Sequence, residues 1–257
     1  MKDISVPTLL AIALLIVGIF DGATFIKNKQ FFGIYAQRQS VPKNIRTSNV
    51  SDSSFTISWT TDRQTTGFVR WGENQSFLTK VSLEATSELG FVHSTTINGL
   101  NPDTSYYFKI NSGGEDFDNN DAPWQIHTGI KIPDQPEAYI ISGKIVNSLN
   151  QPVQRAAVYV TVGGSSPLSD ITTNEGLWTV NITSARQLSL DSFILIDEKK
   201  TPIEIFVQAG PEGMSSAQLY PMSGKPVPEI MLGKIHNFTN SESAGYKEVP
   251  KAEIEFP

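Results

Sequence analysis

The apolar positions divide the chain into an uncharged N-terminal run and a long region of short alternating segments. Residues 4–20 carry no charge, and the apolar character continues to residue 26, a length that spans the hydrocarbon layer of a bilayer when helical. Between residues 43 and 233 no window keeps a 3.6-residue apolar period for long, and glycine and proline are frequent. The pattern predicts an N-terminal transmembrane helix followed by all-β modules.

We interpret residues 1–39 as an uncleaved membrane anchor with a juxtamembrane helix. The alternative is a cleavable signal peptide and secretion, although Asp21-Gly22-Ala23 is a poor cleavage site. Basic residues lie on both sides of the span, and counting them alone would leave most of the chain inside. We expect instead a single-pass protein of the cell membrane, held through residues 4–26, because the domains that follow look extracytoplasmic.

Residues 40–129 predict an immunoglobulin-like antiparallel sandwich of seven strands. The alternation from Phe55 to Trp59 places its apolar side chains on one buried face. From Leu100 to Ile110, every second position follows the spacing of a tyrosine corner. Tyr106 stands where this corner would close the sandwich. The expected strands are residues 45–50, 54–59, 67–72, 77–83, 92–97, 106–111 and 124–128.

This segment resembles a fibronectin type III domain, in the variant that precedes bacterial and purple-acid-phosphatase-like catalytic domains. The residues that carry the resemblance are Ser58-Trp59, Val69-Arg70-Trp71-Gly72, His93 and Leu100-x-Pro102-x-Thr104-x-Tyr106-x-Phe108-x-Ile110. The resemblance implies the fold and is nearly silent on function, since this sandwich hosts many unrelated tasks. A two-metal phosphatase domain would need more chain than is present, so we expect no enzyme.

A proline-bearing linker is predicted at residues 130–137, and a second sandwich at residues 138–233. The second segment resembles a carboxypeptidase-regulatory-like domain, a transthyretin-type sandwich, through these stretches: Ile141-x-Gly143-x-Ile145-Val146, Pro152-Val153, the alternation Ala156 to Val162, and Thr172 to Val180. Asn150 and Gly176 would supply left-handed turn positions. Residues 184–200 fit strand or loop equally well. The polar residues 234–257 predict a disordered tail.

Charge and composition exclude several classes of function. The net charge is -6, and no concentrated basic face is visible, so nucleic acid is not an expected partner. Cysteine is absent, which removes disulfides, thiolate metal sites and cysteine nucleophiles. No serine elbow, phosphate loop or dinucleotide fingerprint occurs. We therefore assign no catalytic residue and no cofactor.

The acidic stretch before the last strand of the first sandwich is the candidate ligand site. Asp116, Asp118, Asn120 and Asp121 could give a calcium ion oxygen ligands, although acidic turns are also common because such residues favour turn conformations. Two aromatic residues nearby, Phe117 and Trp124, could contact a sugar or a protein; Trp124 fits a core position equally well.

Three histidines and four glycosylation patterns complete the candidates. His93, His127 and His236 are far apart in sequence, and we interpret them as structural. Asparagine is followed by x-Ser/Thr at Asn49, Asn74, Asn181 and Asn237, which matters only in a host with the glycosylation machinery.

The sequence as a whole predicts an anchored, non-enzymatic, prokaryotic surface protein with a structural, adhesive or protein-interaction role. One alternative is a carbohydrate-binding module of the envelope, for which Trp71, Trp124 or Trp178 should lie exposed on a flat face. Another is a filament subunit that assembles through its apolar helix, or an accessory subunit of a separate enzyme. Its partner would be a surface protein or a polysaccharide.

Overall fold

The computed structural model describes residues 40–241, which are all-β apart from short 3-10 turns. Within this range no helix is long and apolar enough to cross a membrane; the predicted anchor and the end of the predicted tail lie outside it. The strands are β1 (Lys43–Ser48), β2 (Ser54–Thr65), β3 (Gly67–Gly72), β4 (Lys80–Leu83), β5 (Gly90–Asn98), β6 (Ser105–Ser112), β7 (Glu115–Phe117), β8 (Trp124–His127), β9 (Ile140–Val146), β10 (Ala157–Val162), β11 (Leu168–Ile171), β12 (Leu177–Asn181), β13 (Ile203–Gln208), β14 (Met214–Leu219), β15 (Ile230–Met231) and β16 (Ile235–Asn237).

The first sandwich packs a three-stranded sheet, β1-β2-β5, against a sheet in the order β4-β3-β6-β7, with β8 also pairing with β6. All of these pairs are antiparallel. Strands β2, β3, β5 and β6 supply the core because their alternating residues point inward. The fully buried side chains are rich in aromatic rings, among them Phe55, Trp59, Tyr106 and Phe108.

The predicted tyrosine corner is present. The hydroxyl of Tyr106 accepts a hydrogen bond from the backbone amide of Asn101 at 2.8 Å, while its ring is almost fully buried. The ring also lies against Trp71 with centroids 5.8 Å apart. The corner therefore fixes the loop before β6 onto the core, as the residues from Leu100 onward predict.

The second sandwich packs the sheet β11-β10-β13-β14-β16 against the sheet β12-β9-β15. Its core is aliphatic, built on Val158 and Val160 of β10 and on Ile203 and Ile205 of β13, with Trp178 as its largest side chain. Gly143 lies opposite Trp178 in the β9–β12 pair. A Cβ at residue 143 would come within 2.9 Å of the indole, so a glycine there lets the ring lie across the strand.

The turns of this sandwich follow the predicted chemistry. Asn150 has a φ of 61° and Gly176 a φ of 75°, the left-handed values expected at both positions. The side chain of Asn147 accepts hydrogen bonds from the amides of Leu149 and Gln151 at 2.9 and 3.0 Å. The β9–β10 connection thus begins with an asparagine-stabilised turn.

The structure corrects several predicted boundaries. The predicted tail contains β16, which pairs in parallel with β14. Beyond β16, the carbonyl of Ser241 accepts a hydrogen bond from the hydroxyl of Ser223. Strand β15 is also parallel, to β9, so the second sandwich is not wholly antiparallel. Strands β7, β11 and β14 were not predicted. Residues 184–200, whose pattern fits strand or loop, form no strand; Ser184 ends a 3-10 turn, and an isolated bridge joins Arg186 and Phe193.

Candidate functional site at the seam between the sandwiches

The outer faces of two sheets, β1-β2-β5 and β11-β10-β13, are buried against each other. On β2, Thr56 and Ser58 point away from the first core, yet they are only 3% and 2% exposed. On β10, Ala157 and Tyr159 point away from the second core and are 1% and 5% exposed. We call this contact the seam. Each of these two sheets is therefore covered on both faces. One face packs on the core of its own sandwich, and the other face lies in the seam.

Tyr159 is the centre of the seam. Its hydroxyl lies 2.7 Å from the hydroxyl of Ser58. The guanidinium of Arg46 lies over the Tyr159 ring at 5.2 Å and over Phe206 at 4.7 Å, within the range of cation–π attraction. Burial raises the pKa of the Tyr159 phenol, while the Ser58 hydrogen bond and the charge of Arg46 lower it. The net rise keeps this phenol neutral in a site where an anion would be poorly solvated.

Asn49 joins the first sandwich to the free edge of β11. Its side-chain oxygen accepts from the amide of Ser169 at 2.8 Å, and its side-chain nitrogen donates to the carbonyl of Ser169 at 3.0 Å. Its own backbone amide donates to the carbonyl of Pro167 at 2.9 Å. One asparagine thus satisfies edge groups that a neighbouring strand would otherwise pair.

Arg186 closes one end of the seam. This side chain of the second sandwich is buried, and it donates to Asp52 of the first sandwich at 3.1 Å. The same guanidinium donates to the carbonyls of Ile130 in the linker at 2.7 Å and of Leu190 at 3.1 Å. Burial lowers the pKa of the Arg186 guanidinium, and Asp52 opposes that shift. A single residue therefore connects both sandwiches and the linker.

Arg155 marks the other end, beside a cavity of about 480 Å³ that both sandwiches line. Its guanidinium lies 3.8 Å from Glu84 and 3.9 Å from Glu88, and it donates to the carbonyl of Glu88 at 3.2 Å. Thr56 and Asp170 are among the other residues lining the cavity. This volume lies within the range of small-molecule sites, and interdomain clefts are a usual place for them.

Behind the cavity wall lies a buried polar pair. His93 is fully buried, and its Nδ1 is 2.8 Å from a carboxylate oxygen of Glu84, which is itself 4% exposed in its side chain. Nε2 of His93 is 3.0 Å from the hydroxyl of Thr61, and the imidazole stacks on Trp59 with centroids 5.1 Å apart. The interpretation of His93 as structural fits this packing; His127 and His236 lie elsewhere.

The predicted calcium residues are distributed over a hairpin, and two of the carboxylates already face cations. Asp116 lies in β7, where it accepts from Asn111 at 2.7 Å and lies 3.2 Å from Arg70. Asp118 accepts from Lys109 at 2.8 Å, and this hydrogen bond is the main reason that its pKa is lowered. Across residues 40–241, no three histidine or acidic side chains are grouped as metal ligands.

The two remaining predicted calcium residues form the turn of this hairpin. Asn120 and Asp121 have φ values of 53° and 70°, and the amide of Asp121 donates to Asp118 at 3.0 Å. Their positive φ angles match the turn interpretation of the acidic stretch. The arrangement gives a calcium ion no preformed set of ligands.

The aromatic candidates do not form a flat exposed face. Trp124 is half-buried and stacks on Phe108 with centroids 5.6 Å apart, and Phe117 is half-buried in β7. Trp71 and Trp178 are 6% and 1% exposed. The tryptophan platform that a carbohydrate-binding module would need is therefore missing from the described part of the chain.

Sequence reasoning missed the seam, although one signal for it exists. Strand β10 reads Ala-Val-Tyr-Val-Thr-Val, and five of its six residues are buried. A strand that is apolar on both faces indicates that both faces are covered. The partner face on β2 carries Thr56 and Ser58, which resemble ordinary solvent-facing residues, so the pairing of the two faces could not be inferred.

With this geometry in hand, the comparisons place the first sandwich. The family described as the purple acid phosphatase N-terminal domain matches residues 42–127, about a third of the chain. The first sandwich is therefore a fibronectin type III-like domain, and the match concerns the N-terminal domain of those enzymes. No curated protein matches the chain.

Solved structures give weak likenesses. A PhoD structure is 13% identical with a TM-score of 0.26, covering 40% of this chain and 21% of that one. The FN1–FN3 domains of chicken CNTN1 are 15% identical with a TM-score of 0.27, covering 70% and 64%. A family 28 exopolygalacturonase from Yersinia enterocolitica is 15% identical with a TM-score of 0.25, covering 42% and 21%. The matched part thus spans about a fifth of the PhoD chain and of the exopolygalacturonase chain, and TM-scores this low carry no argument about activity.

Proposed function

We propose that this protein is a non-enzymatic structural and interaction module whose two sandwiches act as one stiff unit at the cell surface. The observation that carries the proposal is the seam. Its contacts run from Arg186 and Asp52 at one end, through Tyr159 and Ser58, to Arg155 and Glu84 at the other. Relative motion is the usual behaviour of domains that share a small interface, and contacts at the centre and at both ends of this seam favour a fixed arrangement.

The polar side chains of the seam support a structural role. Asn49 and Arg186 have their hydrogen-bonding groups directed at partners across the seam. A shifted register of the two faces would leave these hydrogen-bonding groups buried without partners. The groups therefore hold the two faces of the seam in a single register. The fibronectin type III-like fold is compatible with a structural or interaction role, and the contacts of the seam, since the same fold hosts many unrelated functions, carry the argument.

Membrane anchoring and an extracytoplasmic location are part of the proposal. They rest on the apolar residues 4–20, whose length suits a membrane-spanning helix. The anchor would fix one end, and the joined sandwiches would hold a binding edge or loop away from the membrane. A carboxypeptidase-regulatory-like identity of the second sandwich is proposed on its Gly143–Trp178 packing and its turns at Asn150 and Gly176.

Distance measurements between the sandwiches test the stiff unit. The chain has no cysteine, so Gln75→Cys and Lys199→Cys, both at exposed positions, give a unique pair for spin labels in the full chain. We expect one narrow distance distribution by pulsed electron paramagnetic resonance. A broad distance distribution in this labelled chain, in which the seam is unchanged, would contradict the proposal.

A matched pair of variants shows whether the seam sets that distance. Arg186→Met removes the contacts with Asp52 and Ile130, so the distribution should broaden. Arg70→Met removes an ion pair of similar chemistry within the first sandwich and should leave the distribution unchanged. Equal behaviour of the two variants would mean that the contacts of Arg186 do not set the orientation of the sandwiches.

Location is tested by protease treatment of intact cells that express the full chain. Release of peptides from residues 43–233, identified by mass spectrometry, would support domains outside the membrane. Full protection, with cleavage only after lysis, would overturn the proposed orientation. Recovery of the intact protein in the medium would instead indicate secretion after cleavage of the N-terminal segment.

A further inference from the structure

The connection between the 3-10 turn Ile182–Ser184 and β13 is unusually long. Residues 185–202 contain no strand or helix, yet they are held in place, for example by a hydrogen bond from the amide of Ile194 to the carbonyl of Ala185 at 2.9 Å. Irregular connections of this length are uncommon in compact domains, and the ordered ones usually carry a function. This connection is therefore a candidate binding segment.

A cavity of about 500 Å³ lies between residues 193–198 of this connection and the end of the linker. We call it the linker cavity. Three of its lining residues, Ile194, Ile196 and Tyr139, are partly buried and pack on the core of the second sandwich. Leu195 also lines it and is 93% exposed. Its polar lining includes Glu198 and Lys225. Exposed apolar surface beside a cavity is typical of an interaction site, so the linker cavity suits an apolar side chain.

The described part of the chain ends beside this cavity. The carbonyl of Ser241 accepts a hydrogen bond from the hydroxyl of Ser223, which stands two positions before Lys225 in the sequence. The neighbouring amide of Met222 donates to the carbonyl of Glu198 at 3.1 Å. Because Lys225 and Glu198 both line the linker cavity, the segment that follows Ser241 starts at the cavity wall.

That segment, residues 242–257, carries the alternating stretch Glu253-Ile254-Glu255-Phe256. In an extended chain, residues two apart point to the same side, so Ile254 and Phe256 share one face and the two glutamates share the other. From these observations we propose that Ile254 and Phe256 bind in the linker cavity of their own chain. There they cover Leu195, and both glutamates face water.

The same chain is the favoured source of this segment. Removing two large apolar side chains and Leu195 from water stabilises the bound state, and ordering the intervening residues opposes it. The twelve residues 242–253 form a tether with an average span of roughly 20 Å. A tether of this length gives the segment an effective concentration of the order of millimolar at the cavity. A second copy or a separate partner must compete with that local concentration.

Nuclear magnetic resonance of the full chain with labelled methyl groups tests the contact directly. Nuclear Overhauser contacts should connect the ring protons of Phe256 with the methyl groups of Leu195 and of Ile194 or Ile196. Absence of these contacts would overturn the proposal and would leave the linker cavity open to a different occupant.

A matched pair of variants tests what covers Leu195. Ile254→Ser combined with Phe256→Ser should make the Leu195 methyl groups as accessible to a soluble paramagnetic reagent as those of Leu149, a turn residue that is 75% exposed. Val249→Ser removes an apolar side chain from the tether and should leave Leu195 protected. Equal accessibility of Leu195 in the unmodified chain and in the double variant would contradict the proposal.

Mixed samples separate the same chain from a second copy. Methyl-labelled chains with deuterated phenylalanine are combined with unlabelled chains, so that a contact with Phe256 is visible only between copies. We expect no such contact. Its appearance would assign the segment to a neighbouring copy and overturn the proposal. Both readings are independent of whether the two sandwiches act as a stiff unit, since they concern the second sandwich and its own C-terminal segment.

Discussion

The two cores and the centre of the seam are both buried but are built from different side chains. The cores consist of aromatic and aliphatic residues such as Phe55 and Val160, whereas the contacts of the seam include hydroxyls, the Asn49 amide and three arginines, Arg46, Arg155 and Arg186. Apolar burial favours compactness without fixing direction. Hydrogen bonds demand particular partners. The comparison suggests that the cores provide stability and that the seam provides a fixed orientation.

The largest effect is expected in a core. Phe55→Ala removes a fully buried ring of the first sandwich and should lower the free energy of unfolding by about 3–5 kcal/mol. Urea denaturation followed by tryptophan fluorescence measures the change. Phe77→Ala truncates a ring that is 68% exposed and should cost less than about 0.5 kcal/mol. Similar losses for both would refute the assigned core.

Arg186→Met should have the next largest effect, and it tests the seam. The variant leaves the carbonyls of Ile130 and Leu190 and the carboxylate of Asp52 without their donor, at a cost of about 2–3 kcal/mol. Arg70→Met breaks an ion pair whose side chains are 45% and 42% exposed and should cost less than about 1 kcal/mol. If Arg186→Met were equally mild, this end of the seam would add little to stability.

Tyr106→Phe isolates the tyrosine corner. It removes only the acceptor for the Asn101 amide and keeps the buried ring, so we expect a loss of about 1–1.5 kcal/mol in the free energy of unfolding. Tyr107→Phe is the matched control on the same strand, at a half-buried position. Thermal and urea unfolding should separate the two variants; no difference would mean that the corner is held by ring packing alone.

Tyr159→Phe is expected to have the smallest effect, about 0.5–1 kcal/mol, because Ser58 loses one partner and the ring remains. The pKa of Tyr159 is raised in the folded protein. Its contribution is therefore present below the unfolded value of about 10 and is lost as the pH rises through the folded value. The absorbance titration of tyrosinate should lose one of its late components in the variant and should keep that of Tyr139, whose pKa is raised to about 12 by burial and by Glu198. A variant curve with both late components intact would assign them to other tyrosines.

Sequence alone was sufficient where one face of a strand is apolar. Phe55, Ile57 and Trp59 alternate with polar residues, and Tyr106 follows the spacing of a tyrosine corner, so seven of the eight strands of the first sandwich are predicted from the sequence. Strand β14 was missed because its inward residues include Ser215 and Ala217, which carry little apolar signal. Strand β7 was missed because backbone pairing with β6, and no apolar pattern, defines it.

The seam and the buried pair could not have been predicted by the same reasoning. Thr56 and Ser58 have the chemistry of surface residues, and only the folded arrangement of two sheets buries them. Glu84 and His93 are nine residues apart, yet the alternation of β5 identifies only which face His93 occupies. Long-range pairing of polar groups depends on how two domains are placed, and hydrophobic periodicity carries no information on that placement.

Asn49 has a consequence for how the protein can be produced. It heads the glycosylation pattern Asn49-Val50-Ser51, and the nitrogen that would carry a sugar is the one that donates to Ser169 and Thr56. A glycan added in a eukaryotic secretory pathway, before the second sandwich has folded, would stand where the edge of β11 must dock. In protein from such a host, the glycan would keep the two sandwiches apart. Asn49→Gln would prevent glycosylation at this position, but the longer glutamine side chain would not reproduce the contacts of Asn49 with Ser169.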